Sequence, residues 1–347
     1  SENVSEWIPL LGAAEWVRTA DRAIGRFEVA VATTMIDCRN QPSKEHSNSH
    51  TQITAISRAV PERLFYHDSV ANFEELTIPL PDGYESYARF WRADRALGAV
   101  LYHHGIQSHC GWYENSATKL CEAGFHVLQF DRRGCGRNPK DRGHADSADQ
   151  LIQDAIATGD ELKQLSGFAD YQVVGVSWGG KLAVAAHVSR PNDVRSLSLV
   201  TPGLFPLTGV SNVEKARIGF AMLYEPRRAF DIPLNDSDLF TTNSQWKAFI
   251  EGDPLTLRQC TAGFYLASRR MDKITAKLGT VRPVPIHTLL ADDEHIIDND
   301  ATAEFIRHLT WPARRVTWYD NARHSLEFEN DPSRYCDDLV SFIREQA

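Results

Sequence analysis

Residues Tyr171 to Pro191, YQVVGVSWGGKLAVAAHVSRP, carry the strongest indication of the fold of this chain. The first six of them form an apolar run with the length of a buried strand, and Ser177 follows at once. A helix-length segment comes next and stops at Pro191. A strand that passes through a serine directly into a helix indicates a sharp turn at the edge of a sheet.

The turn itself reads Gly175-Val176-Ser177-Trp178-Gly179, a GxSxG motif. A turn tight enough to lift the serine hydroxyl clear of the sheet leaves no room for Cβ atoms at the flanking positions, and two glycines supply that room. The motif alone is a weak signal, but strand, turn and helix are the context that it requires. We therefore predict that Ser177 is a nucleophile.

Strand-like runs alternate with helix-length segments on both sides of this turn. The alternation is typical of an α/β fold, in which a mainly parallel central sheet carries helices on both faces. The runs occupy residues 75–80, 85–91, 98–105, 126–131, 171–177, 196–202, 284–290 and 314–320.

About 78 mostly helical residues interrupt this rhythm, and we interpret residues 203–280 as a lid or cap. The predicted core then consists of residues 73–202 and 281–347. Residues 1–72 form an N-terminal extension, with an amphipathic helix predicted over Trp16–Val31 and a polar linker over Asn40–Gln52.

Composition excludes several classes of protein. The 347 residues are 42% hydrophobic and 24% charged, which is ordinary for a globular chain. The net charge of −9 argues against nucleic-acid binding. No apolar run is long enough for a transmembrane segment, and the N-terminus lacks the pattern of a signal peptide. Since the six cysteines are scattered, we expect reduced thiols in a cytoplasmic protein.

A serine nucleophile needs a base, and in this fold the acid and then the histidine follow the serine along the chain. His324 lies in the loop NARHSLEFE, between the last strand-like run and the C-terminal helix. Such a loop ends at the carboxyl edge of the sheet, where a base can reach the serine. His187, His287 and His308 fall inside regular elements, and His295 is a minor competitor.

The acid is expected just after the strand-like run 284–290, where ADDEHIIDND begins. Asp292, Asp293 and Glu294 all qualify, because either type of carboxylate can orient an imidazole. Asp298 or Asp300 fits better as the cap of the next helix. Spacing alone does not choose among the first three.

Four segments together resemble the α/β-hydrolase superfamily, specifically its monoacylglycerol lipase and lysophospholipase-like serine hydrolases. The resemblance runs from about Phe73 to the C-terminus. Its segments are similar to the HGxxxHxxxY oxyanion loop (residues 104–113), the D-x-R-G-x-G-x-S segment (131–138, with Asn138 in place of the serine), the elbow (175–180) and the histidine loop (321–327).

The resemblance implies a Ser-acid-His triad and an acyl-enzyme intermediate in the hydrolysis of monoacylglycerols, lysophospholipids or similar esters. It places Glu294 where the family usually has its aspartate, with Asp293 and Asp292 as alternatives. It implies an oxyanion hole made by the backbone N–H groups of Ile106 and Trp178, with His104 and Gly105 supporting the loop.

No metal or organic cofactor is implied, because His103, His104 and His109 lack a further ligand at zinc-type spacing. The same triad could act on a thioester, a C–C bond or a peptide, or in acyl transfer, because a fold does not fix its chemistry. A non-catalytic binding module is disfavoured, since a serine, acids and a histidine are all present in order.

Overall fold

The structure is a computed structural model that describes residues 73–347. The predicted N-terminal extension, with its amphipathic helix and polar linker, lies outside the described residues. Within residues 73–347, no helix is long and apolar enough to span a membrane. The five cysteines of this part of the chain are free.

The described residues form ten strands. They are β1 (Phe73–Pro79), β2 (Glu85–Trp91), β3 (Gly98–His103), β4 (Phe125–Phe130), β5 (Tyr171–Val176), β6 (Val194–Val200), β7 (Ala229–Asp231), β8 (Gln259–Thr261), β9 (Ile286–Ala291) and β10 (Arg314–Tyr319).

Eight of these strands form one sheet in the order β1-β2-β4-β3-β5-β6-β9-β10. The two pairs that involve β2 are antiparallel, and the remaining neighbours are parallel. The predicted mainly parallel sheet is therefore confirmed. The last but one strand begins at Ile286 rather than at the predicted residue 284, because Pro285 has no N–H to give to the ladder.

Both faces of the sheet are covered. Within β3, Val100 and Tyr102 belong to one buried cluster, whereas Ala99 and Leu101 belong to another. Side chains of a strand alternate between faces, so each face of this strand packs against its own layer. This two-sided burial explains why the strand reads as a continuous apolar run rather than an alternating one.

Eight α-helices lie within the described residues. They are α1 (Glu114–Glu122), α2 (Ala148–Ser166), α3 (Trp178–Ser189), α4 (Asn212–Tyr224), α5 (Ser244–Gly252), α6 (Ala262–Thr275), α7 (Asn299–His308) and α8 (Ser333–Glu345).

The segment between β6 and β9 contains α4, α5 and α6 together with the small antiparallel pair β7–β8. It covers the part of the chain that we interpret as a lid, and its mainly helical content agrees with the sequence pattern. Its action as a lid stays a prediction.

Candidate active site

The serine of the elbow has an unusual backbone conformation. Ser177 stands between β5 and α3 with φ 53° and ψ −124°, a region that L-residues rarely occupy. A Cβ on Gly179 would overlap the carbonyl oxygens of His103 and His104, and a Cβ on Gly175 would lie 2.7 Å from Cα of Gly180. The two glycines therefore provide the room that the sequence analysis assigned to them.

The loop after β3 passes close to this serine. A Cβ built on Gly105 would lie 3.4 Å from Cβ of Ser177. Ile106, the next residue, lines the same cavity as Ser177. Trp178 is the first residue of α3, a position whose amide has no acceptor within the helix. The two amides named for an oxyanion hole thus belong to segments that flank the serine.

His104 holds this loop in place through both ring nitrogens. Its Nε2 accepts a hydrogen bond of 2.8 Å from the amide of Arg132, so Nδ1 carries the hydrogen and donates to the carbonyl of Gly105, also at 2.8 Å. Burial and the nearby charge of Arg132 hold the pKa of His104 well below its usual range. The ring is therefore a neutral, fixed support for the loop.

Arg132 also supports this loop, although no sequence pattern indicates such a role for it. Its guanidinium donates to the carbonyl oxygens of Gly105 at 3.2 Å and Ile106 at 3.1 Å, and lies 4.3 Å from the ring of Trp178. No carboxylate of residues 73–347 pairs with this buried cation. Only its position directly after Asp131, at the carboxyl end of β4, is visible in the sequence.

This bracing has a consequence for the Ile106 amide. The carbonyl of Gly105 and the N–H of Ile106 belong to one planar peptide unit and point in opposite directions. His104 and Arg132 both donate to that carbonyl, so they fix the direction of the N–H and polarise it.

His324 and Glu294 are brought together. Nδ1 of His324 lies 2.8 Å from Oε2 of Glu294, and both side chains are only 2% exposed. The other carboxylate oxygen accepts from the amides of His295 at 3.0 Å and Ile296 at 2.7 Å. Burial raises the pKa of Glu294, but the interaction with His324 and the hydrogen bond from the amide of Ile296 outweigh it, so the pKa is lowered overall.

The other two candidate acids lie elsewhere. Asp293 is bonded to Arg323 and to the ring of His295, with 44% of its side chain exposed. Asp292 is exposed. Asp298 caps α7 by accepting from the amide of Ala301, as its sequence position indicates.

The remaining histidines downstream of Ser177 share one property: each ring is hydrogen-bonded to a residue that does not line the cavity. They are His187, bonded to the carbonyl of Arg282, His287, bonded to Thr317, His295, bonded to Asp293, and His308, bonded to the carbonyl of Glu304.

Ser177 and His324 line one cavity. Leu234 and Phe240, from the predicted lid, form part of its wall. Nε2 of His324 is buried and has no hydrogen-bond partner among residues 73–347, and no hydrogen bond joins it to Ser177. Catalytic hydrogen bonds often tighten only once substrate is bound. The arrangement brings a hydroxyl and an oriented imidazole with an open nitrogen to one cavity.

One group of side chains in the described part of the chain has the geometry for a metal. Ligand atoms of His109, Cys110 and Asp131 lie within 4.8 Å of one another. The carboxylate of Asp131 accepts from the amides of Cys110 and Arg137, and the ring of His109 is bonded to Asp253 at 3.0 Å. The hydrogen bond between Cys110 and Asp131 connects the loops after β3 and β4, and the bond of His109 connects the first of these loops to the segment 203–280.

Comparisons with known proteins identify the family of this chain. The model of the family Hydrolase_4, described as serine aminopeptidase, S33, matches residues 94–331. The phospholipase YtpA of Bacillus subtilis (strain 168) is 22% identical over 247 residues, which cover 70% of this chain and 93% of the relative. A non-heme haloperoxidase of Rhodococcus erythropolis is 31% identical over 129 residues, 37% of this chain and 44% of the relative.

A solved structure shares the fold. The monoacylglycerol lipase of Paleococcus ferrophilus superposes with a TM-score of 0.69 at 19% identity, covering 76% of this chain and all of that chain. The matched family model spans more than half of the sequence and includes Ser177, Glu294 and His324. The chain therefore belongs to the Hydrolase_4 family and has the α/β-hydrolase fold, similar to that of monoacylglycerol lipases.

Proposed function

We propose that this chain hydrolyses carboxylic esters, with Ser177 as nucleophile, His324 as general base and Glu294 as the residue that orients it. The observation that carries the proposal is the buried hydrogen bond of 2.8 Å between Glu294 and His324, beside a cavity that Ser177 also lines. A neutral imidazole held at Nδ1 presents its other nitrogen as a base.

In the first half of the reaction, Nε2 of His324 takes the proton from the hydroxyl of Ser177, whose oxygen attacks the ester carbonyl. The backbone N–H groups of Trp178 and Ile106 stabilise the negative charge on the tetrahedral intermediate. The ester C–O bond then breaks, and the leaving alcohol takes the proton from His324. An acyl group remains on Ser177.

In the second half, His324 removes a proton from water, and the resulting hydroxide equivalent attacks the acyl carbonyl. The intermediate collapses with release of a carboxylic acid, and the serine oxygen regains its proton from His324. Glu294 stays ionised throughout, consistent with its lowered pKa, and stabilises the transient imidazolium.

Monoacyl lipids are the proposed substrates. The similarity to a phospholipase and to a monoacylglycerol lipase supports this class. Val176, Leu234 and Phe240 give the cavity an apolar wall suited to an acyl chain.

The family description also raises an aminopeptidase as a second candidate. Such an enzyme must bind the protonated α-amino group of a peptide, and a buried cation requires a counter-charge. Among the described residues that line the cavity, none is acidic. This lining favours an ester over a peptide with a free N-terminus.

A substrate panel tests the proposal. We expect hydrolysis of p-nitrophenyl esters and monoacylglycerols of graded chain length, at rates at least about a hundredfold above those of aminoacyl p-nitroanilides. The Ser177→Ala variant gives the background. Faster cleavage of the anilides would favour the peptidase, and activity confined to short soluble esters would contradict the lipid substrate class.

A further inference from the structure

Gln107 is a buried amide beside the proposed catalytic residues. It lines the cavity and is 2% exposed, and neither Nε2 nor Oε1 of its side chain has a hydrogen-bond partner among residues 73–347. Two other polar side chains of the lining bond each other, since Ser108 Oγ and Tyr113 OH lie 3.0 Å apart. The indole of Trp112 donates to Asp253 at 2.8 Å.

An amide without partners is unusual in a protein interior, where the large majority of buried polar side-chain atoms are hydrogen-bonded. The same condition holds for Nε2 of His324, which lines the same cavity. There the proposed mechanism explains it, because this nitrogen exchanges protons with the serine and the leaving group. That mechanism gives Gln107 no task, so its amide needs another explanation.

The position of Gln107 puts it near the reacting atoms. It follows Gly105 by two residues, and a Cβ on Gly105 would lie 3.4 Å from Cβ of Ser177. Its backbone is held by a hydrogen bond of 2.8 Å from the amide of Leu257 to its carbonyl oxygen. Gln107 and Ser177 also line the same cavity, so a substrate group that meets this amide shares that cavity with the ester.

The chemistry of the amide selects the kind of group. Glutamine offers one acceptor oxygen and two N–H donors, and a hydroxyl group, which both donates and accepts, complements it. A charged group is disfavoured, because the lining contains no acidic, lysine or arginine side chain to compensate it.

We propose that the side-chain amide of Gln107 is a specificity determinant that hydrogen-bonds a hydroxyl group of the substrate, in the same cavity as the scissile ester. This inference rests on the proposed ester hydrolysis. The hydroxyl can belong to the alcohol or to the acyl chain, and the test separates the two.

Two pairs of nearly isosteric esters provide the test. The first compares 2-hydroxyethyl butyrate with propyl butyrate, and the second compares ethyl 4-hydroxybutyrate with ethyl pentanoate. For each pair, the ratio of kcat/KM is measured for the unaltered protein, for Gln107→Met and for Gln172→Met. Gln172 is a matched control: its amide is also buried, but it is bonded to Ser196 and to the carbonyl of Ile343.

We expect the unaltered protein to prefer the hydroxylated ester of one pair by about tenfold, the effect of one hydrogen bond. The pair that shows the preference identifies the side of the ester that carries the hydroxyl. Gln107→Met should lose the preference, and Gln172→Met should keep it. If Gln107→Met fails to fold, Gln107→Leu gives the same comparison.

A ratio near one in both pairs for the unaltered protein would overturn the inference, and so would a ratio that Gln107→Met leaves unchanged. Labelling of Ser177 by a fluorophosphonate is measured in parallel. Labelled protein that cleaves the esters without preference refutes the role of Gln107 alone, whereas protein that neither labels nor cleaves refutes the proposed function itself.

Discussion

The proposed orienting acid is a glutamate at a position where the family usually has an aspartate. Its two carboxylate oxygens have different partners. Oε2 is hydrogen-bonded to His324, and Oε1 accepts hydrogen bonds from the amides of His295 and Ile296. The longer side chain thus serves both as the partner of the histidine and as an internal support of its own loop. The loop that carries Glu294 therefore has a conformation that suits the length of a glutamate side chain.

Replacing Glu294 by glutamine should lower kcat for p-nitrophenyl butyrate by about two to four orders of magnitude. An amide can hydrogen-bond the ring in the wrong tautomer and cannot stabilise an imidazolium. Asp293→Asn is the control, because Asp293 bonds Arg323 and His295 rather than His324. Equal losses in the two variants, or full activity of Glu294→Gln, would contradict the assignment.

At this scale the sequence predicts some residues and misses others. Ser177 and His324 follow from a motif and from chain order, but Glu294 was separated from Asp292 and Asp293 only by the family pattern. Arg132 and Gln107 were missed as functional residues, because what distinguishes them is burial and the presence or absence of partners. Those properties arise from contacts that no linear pattern records.

At the scale of elements, the elbow depends on close contact between α3 and the end of β3. Gly179→Ala should lower the free energy of unfolding by about 3 kcal/mol or more, because the new methyl group would overlap two backbone oxygens. Gly219, in the middle of α4, has open space around the corresponding position. There the same change should stabilise by up to about 1 kcal/mol, since alanine favours the helix.

Urea denaturation of both variants checks this pair. A Gly179→Ala protein as stable as the unaltered one would show that the elbow tolerates a side chain at this position. Destabilisation by Gly219→Ala would contradict the open environment assigned to α4.

The histidine loop is tied to α1 through a buried carboxyl group. Oε1 of Glu327 accepts from the amide of Ser116 at 2.8 Å, while Oε2 has no partner among the described residues. Burial raises the pKa of Glu327 to about 7. The folded chain therefore keeps this proton at a pH where the unfolded chain releases it.

A raised carboxyl pKa makes stability fall as pH rises. Between pH 4.5, the ordinary value, and pH 7, the folded state binds more protons than the unfolded state, so the free energy of unfolding decreases by about 3 kcal/mol. The Glu327→Gln variant should not show this decrease in the free energy of unfolding. The control variant Glu304→Gln, which alters an exposed carboxylate, should show it. Urea titrations at several pH values measure the difference, and parallel curves for Glu327→Gln and the unaltered protein would contradict it.

The strands of the large sheet were predictable because two-sided burial leaves continuous apolar runs between polar segments. The pair β7–β8 was not predicted, since three-residue strands are too short to show a period. Several observed strand ends differ from the predicted ones by one or two residues. At Pro285 the missing backbone N–H, rather than the side-chain pattern, determines where the strand begins.

For the whole molecule, topology explains how distant residues meet. The segments after β3, β5, β9 and β10 carry Gly105, Ser177, Glu294 and His324, and these strands are parallel members of one sheet. Parallel strands end at the same edge, so their loops converge there. The residues 203–280 add Leu234 and Phe240 to the wall, so the cavity is shared between the core and the predicted lid.

The proposed chemistry requires that Ser177 is a nucleophile activated by His324. Intact-protein mass spectrometry after treatment with a fluorophosphonate, with peptide mapping of the adduct, measures this reactivity. We predict a single adduct on Ser177, strongly slowed in His324→Ala and absent in Ser177→Ala, together with loss of ester hydrolysis in both variants. An adduct on another residue, or undiminished hydrolysis by Ser177→Ala, would contradict the account.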